Sequence, residues 1–167
     1  MDEALVRARK LLENVTPLKS DCGRVCGAAC CRSSQGEETG MLLFPGEEEE
    51  YSRKPGWTIE HTAMGPMVIC SGTCDRTERP LACRFFPLLP VLRDGKAAVM
   101  TDLRARSVCP LARQGLSAMD PAFREAVREA GECLRGEETQ AAFLQALAEE
   151  QEEIRRLRRA LGGNGHV

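Results

Sequence analysis

A chain of 167 residues is long enough for one ordinary domain whose core need not depend wholly on staples, so a single domain over residues 1–167 is expected. The formal charge of -2 and a pI near 5.8 supply no global basic field, which argues against nucleic acid or an anionic membrane as a partner. The longest apolar stretches, such as Ala63 to Cys70, fall short of a bilayer span, and Met1-Asp2-Glu3 carries no basic n-region with an apolar segment behind it, so the chain reads as cytoplasmic.

In chain order, the segment Asp2 to Asn14 places Leu5, Ala8, Leu11 and Leu12 at helical spacing, and Pro17 limits its extension. Met41 to Phe44 and Met67 to Ile69 are short apolar runs bounded by Gly or Pro, suited to brief strands or buried turns. The acidic run Glu47 to Glu50 reads as solvated rather than catalytic. Leu88 to Leu103 predicts a small hairpin, because Asp94-Gly95 supplies the positive-φ residues of a tight turn between Val91-Leu92 and Ala97 to Met100. Asp120-Pro121 is a helix start, followed by an apolar face of Phe123, Ala126, Val127, Ala130 and Leu134 and by Gly136 as a stop. A last helix is predicted from Glu138 to Leu161 on the seam Leu144, Leu147, Ile154, Leu157 and Leu161, with Gly162-Gly163 ending it. Within it, Glu152 lies three and four residues before Arg155 and Arg156, so Glu149 to Arg159 reads as a solvated face. The fold class that follows is α+β and mainly helical: an irregular metal-stabilised cysteine core over residues 22–109 with a small β-hairpin, flanked by an N-terminal helix and a helical C-terminal region over 120–161.

Nine cysteines force a choice between disulfides and metal, and eight of them lie between Cys22 and Cys109. Cytosolic thiols are kept reduced and the count is odd, so metal is the favoured reading. The spacing is Cys22-x3-Cys26-x3-Cys30-Cys31, then Cys70-x3-Cys74, Cys83 and Cys109. Cysteines three or four positions apart can both point at one ion across a turn, whereas the neighbours Cys30 and Cys31 tend to diverge. Two metal centres or one cluster follow: eight thiolates divide into two four-cysteine zinc sites, with Zn–S distances of about 2.3 Å, or they hold an iron-sulfur cluster with some cysteines left over.

Cys26-Gly-Ala-Ala-Cys30-Cys31, the later Cys70-x3-Cys74 and the run Arg79-Pro80-Leu81-Ala82-Cys83-Arg84-Phe85-Phe86-Pro87 resemble the zinc- or iron-chelating family of bacterial and archaeal cysteine-cluster proteins. The resemblance spans about Cys22 to Cys109 and implies chelation by these cysteines rather than any one activity. Two features depart from the family pattern: three residues, not two, precede the double cysteine, and Asp75-Arg-Thr-Glu stands where an aromatic commonly precedes Arg-Pro. Some flagellin lysine methylases carry a similar cysteine segment, which implies a methyl-transfer accessory role as a further alternative.

A four-thiolate zinc site carries a formal charge of about -2 and is costly to bury without cations and hydrogen bonds. Arg24, Arg32, Arg76, Arg79, Arg84 and Arg106 all lie near a cysteine in sequence; Arg79 and Arg84, inside the Arg-Pro-x-x-Cys-Arg signature, are expected to donate around the sulfur cage. Arg24 and Arg76 read equally well as surface. Cys133 sits near the apolar face of the Pro121 helix and reads as a buried small hydrophobe. His61 reads as polar surface in a loop, and His166 as part of a loose tail. Enzyme status has no signature behind it: no phosphate loop, dinucleotide fingerprint, His-Glu-x-x-His or Gly-x-Ser-x-Gly is present. The expected function is a metal-binding protein with zinc in a structural or binding role; an iron-sulfur redox or sensing protein is the main alternative, and a metal-dependent enzyme the weaker one.

Overall fold

The computed structural model describes residues 2–32, 40–70, 72 and 74–161. Gly162-Gly163 and His166 lie outside them. The chain is α+β, and its main core forms where three helices pack on a β-hairpin. Helix α1 (Glu3–Leu11) starts at Asp2, whose Oδ1 accepts from the Leu5 amide at 2.7 Å and satisfies one of the free donors of the first turn. Its apolar stripe of Leu5, Ala8 and Leu12 is fully buried.

Strand β1 (Gly40–Leu42), helix α3 (Glu48–Ser52), strand β2 (Trp57–Thr62) and strand β3 (Gly65–Cys70) form a small sheet in the order β1-β3-β2, antiparallel throughout. The two apolar runs foreseen from sequence therefore pair with each other, Met41 opposite Val68. Strand β2 was not foreseen, because Thr58, Glu60 and Thr62 face solvent and leave only Trp57 and Ile59 to signal it. His61 lies on this strand, not in a loop, and its Nε2 meets Glu48 Oε1 at 2.9 Å on the surface.

After helix α4 (Leu81–Phe85), strands β4 (Leu88–Arg93) and β5 (Lys96–Thr101) make the expected hairpin, with Asp94 and Gly95 both at positive φ as a two-residue turn demands. Helix α5 (Pro110–Gln114) is one short turn, and helix α6 (Pro121–Arg135) follows with Asp120 accepting from the Ala122 amide at 2.8 Å. Its face Phe123, Ala126, Val127, Ala130 and Leu134 is buried. Gly131, also buried, lets α6 approach the hairpin: a Cβ there would lie 2.9 Å from Pro90 Cβ and 3.1 Å from Ala97 Cβ. Helix α7 (Glu138–Ala160) adds Leu144 and Leu147, and Phe44 bridges α7 and α4 through edge and tilted contacts with Phe143 and Phe85. Each large apolar side chain so buried contributes roughly 1.5–3 kcal/mol.

Three sequence readings need correction here. Glu47 is not solvated: it is fully buried, because its carboxylate accepts from the Phe44 and Leu81 amides, both at 2.9 Å, and from Arg9 Nη2 at 2.6 Å. The face Glu149 to Arg159 is only partly solvated, since Gln151 is fully buried and Glu150 meets Arg104 at 2.8 Å. Cys133 is half-buried rather than buried, beside Arg7, Lys10 and Leu11 in an open groove between α1 and α6. Among the described residues no helix is long and apolar enough to cross a membrane.

Candidate metal centres

Four of the clustered cysteines belong to one reversal of the chain. Helix α2 (Gly23–Cys26) opens after Asp21, whose carboxylate accepts from the Gly23 amide at 3.0 Å, and ends at Gly27 with φ +64. Ala28 is also left-handed at φ +55, a conformation that costs a residue with a Cβ roughly 1–2 kcal/mol. These two successive positions fold the chain back into a 3-10 turn over Ala29–Cys31. Nothing in α2 or in that turn is buried, so no apolar core holds this segment.

The other ligand candidates come from the ends of regular elements. Cys70 is the last residue of β3, opposite Trp57. Gly72, at φ +80, brings the following loop against the first segment so closely that a Cβ there would collide with the Cys31 carbonyl oxygen. After Cys74, Asp75 caps the 3-10 turn Arg76–Glu78 by accepting from the Thr77 amide at 2.8 Å. Cys83 lies in the middle of α4. Cys109 precedes α5 and is buried with Ala105 and Ala112, its amide donating to the Ala105 carbonyl at 2.8 Å.

These eight side chains border two adjoining cavities. Cys22, Cys26, Cys30 and Cys109 line the first, of about 130 Å³, which Cys83 also touches. Cys31, Cys70, Cys74 and Cys83 line the second, of about 70 Å³, which Cys30 also touches. Cys22 feels the charges of Cys26 and Cys109 and Cys83 those of Cys31, Cys74 and Cys70, while Cys30 feels Cys31 as well as Cys22 and Cys26. Cys30 and Cys31 sit at the seam with their sulfurs 3.8 Å apart. All nine cysteines are free, and Cys133 borders neither cavity. Among the described residues, no three His, Cys, Asp or Glu side chains stand close enough together to hold an ion as they are placed.

Burial pushes the Cys83 thiol up, with the neighbouring sulfurs adding to it, and burial likewise raises Cys22 and Cys74. Cys31 moves the other way, to about 6, because Cys30 hydrogen-bonds to its thiolate and Arg79 lies nearby; the same hydrogen bond raises Cys30.

The arginines separate by what their heads touch. Arg84 donates from Nε to the Arg79 carbonyl at 2.9 Å and from Nη2 to the Thr77 carbonyl at 2.6 Å, and its Nη1 reaches Arg9 O at 3.4 Å. It braces the segment carrying Cys83 through carbonyls. Arg76 spends its guanidinium on the carbonyls of Leu12, Glu13 and Val15, closing the end of α1. Arg79 is different: it lies beside Cys74 with Cys31 and Cys83 next in reach, and its Nε is buried with no hydrogen-bond partner among the described residues. Arg24, Arg32 and Arg106 are exposed.

Sequence reasoning missed the side chains that hold these segments in place. Glu47 anchors the first turn of the helix that carries Cys83, and Arg9 links it to Glu50 at 2.8 Å and to the Tyr51 hydroxyl at 3.0 Å; Tyr51 donates in turn to the Glu78 carbonyl. On the Cys109 side, buried Asp102 accepts from Gln151 Nε2 at 3.0 Å and from Arg104 Nη2 at 2.8 Å, while Gln151 Oε1 accepts from the Leu103 amide at 2.8 Å. A polar residue continuing the seam of Leu144, Leu147 and Ile154 is the one signal that could have pointed to Gln151. Compared with family models, curated proteins and solved structures, the chain has no match.

Proposed function

We propose that this is a metal-binding protein with two adjacent four-thiolate centres, Cys22, Cys26, Cys30 and Cys109 holding one and Cys31, Cys70, Cys74 and Cys83 the other. The observation that carries the reading is that all eight cysteines border two adjoining cavities, Cys22, Cys26 and Cys109 only the first, Cys31, Cys70 and Cys74 only the second, and Cys30 and Cys83 both; the two shared residues, Cys30 and Cys83, are assigned one to each centre. The donor set fits: soft thiolates select zinc or iron-sulfur clusters. The buried Nε of Arg79, without a partner among the described residues, is a cation's donor left beside sulfurs, which suits a negatively charged thiolate cage. Zinc bound here would supply folding energy to a segment that has no apolar core, and four protein ligands would close each site to substrate. The resemblance of Cys26 to Pro87 to cysteine-cluster chelating proteins agrees with this role.

A second reading, iron-sulfur clusters in a redox or sensing protein, has one observation in its favour: the first cavity, which its cysteines share with Pro17, Leu18, Phe86 and Leu111 among others, has about 130 Å³, room for a body larger than one ion. Anaerobic purification with elemental analysis and absorption spectroscopy decides between them. About two zinc ions per chain and a colourless solution are expected on the first reading, and brown protein with iron and acid-labile sulfide on the second. Absence of either metal after anaerobic reconstitution of the reduced chain overturns the proposal. Cys83→Ser is expected to lose the second centre, because a serine hydroxyl is rarely ionised.

A further inference from the structure

We propose that Arg79 is a shared counter-cation, one guanidinium that stabilises both thiolate centres at once. The inference rests on the four-and-four reading above and adds to it a residue that serves both sites. Arg79 borders the first cavity and the second. Its Nε is buried with no hydrogen-bond partner among the described residues, so the guanidinium keeps a donor free at this border. The neighbouring arginines cannot take this part, because Arg76 and Arg84 commit their heads to backbone carbonyls. Arg84 accounts for the placement: its Nε holds the Arg79 carbonyl at 2.9 Å, so the backbone from which the guanidinium projects is fixed.

The physical need is specific to two adjoining centres. Each four-thiolate zinc site would carry a net charge of about -2, and two of them separated by one Cys30–Cys31 step repel each other. A cation placed between them attracts both, and the planar guanidinium offers donors along more than one edge, which a lysine ammonium on a flexible stem does not reproduce.

The test uses full-length chains in which one centre is removed: Cys22→Ser with Cys26→Ser leaves the second, and Cys70→Ser with Cys74→Ser leaves the first. Zinc affinity is measured by competition with a chromophoric chelator, and cobalt(II) substitution reads the thiolate environment directly. Trp57, the only tryptophan, lines the second cavity and reports loading there by fluorescence. Arg79→Gln is expected to weaken zinc binding about 10- to 100-fold in both backgrounds, the range for losing a donor behind a ligand. Arg79→Lys, which restores the charge, is expected to recover part of the affinity in both. Loss in one background alone overturns the shared role, as does unchanged affinity in both. If Arg79→Gln does not fold, Arg79→Lys carries the comparison: a moderate loss in both backgrounds supports sharing, and a loss in one overturns it. If neither background binds a metal ion with Arg79 intact, the four-and-four reading itself has failed, a result distinct from a site that binds normally without Arg79.

Discussion

The helical scaffold and the cysteine region are built on different physics. In the scaffold, α1, α6 and α7 close over the β4–β5 hairpin with a continuous buried core running from Leu5 to Leu147. In the cysteine region, α2 and the Ala29–Cys31 turn bury nothing, Ala28 sits in a left-handed conformation, and the segments are braced by carboxylates such as Asp21 and Asp75 and by the Arg84 guanidinium. The scaffold holds itself by apolar area, whereas the cysteine region needs polar anchors on its borders and, on the proposed reading, metal at its centre. If the proposed reading holds, a chain can keep an apolar frame and still leave its chemistry-bearing segment dependent on what it binds.

Metal removal should separate the two regions most sharply. Binding energy at a site without a preformed cage is folding energy, so chelation is expected to release residues 22–31 and the loop around Cys74 while the outer helices keep part of their helicity. Hydrogen exchange before and after chelation checks this; equal protection in both regions, or an unchanged melting temperature, would contradict it. The same experiment has a pH dependence. Burial raises the thiols of Cys22, Cys74 and Cys83, so these groups enter metal binding protonated and must release their protons. Metal affinity is therefore expected to fall as the pH is lowered, with proton release measurable by calorimetry in buffers of different ionisation heat.

Glu47→Ala comes next in size, because it strikes the border between the regions. The substitution strips the Leu81 and Phe44 amides of their acceptor and leaves the Arg9 charge without its closest partner, and breaking a buried pair costs about 3–5 kcal/mol. Denaturant unfolding should show that loss, together with weaker metal retention at the Cys83 centre. A loss of stability with metal retention unchanged would confine Glu47 to the scaffold.

Gln151→Ala probes the opposite border. It removes one acceptor from the Leu103 amide and one donor to Asp102, which predicts about 1–3 kcal/mol for the buried groups left unmet. The stretch leading to Cys109 should loosen, so chelator competition should show faster loss from the first centre than from the second. Equal loss from both centres would mean that α7 does not position Cys109 separately.

Cys133→Ala is the smallest. It lies half-buried between α1 and α6, away from both cavities, and the expected cost is at most about 1 kcal/mol with metal content unchanged. Metal release comparable to that of Cys83→Ser would break the division between the two regions.

Periodicity and caps alone determined much of the scaffold. Asp2, Asp120-Pro121 and the apolar spacing of α1, α6 and α7 specify helices through contacts within a few residues, and Asp94-Gly95 does the same for the hairpin. The cysteine spacing likewise marks the candidate ligands, because close pairs share a turn. Which sulfurs border which cavity was decided only in three dimensions: Cys109 is brought beside Cys22, and Cys31 beside Cys74, by the meeting of elements far apart in the chain. Tertiary structure also decided the roles of Glu47 and Gln151. A charged or amide side chain reads as solvated until the chain folds over it, and the partners of these two are backbone amides and distant charged side chains that no local pattern announces.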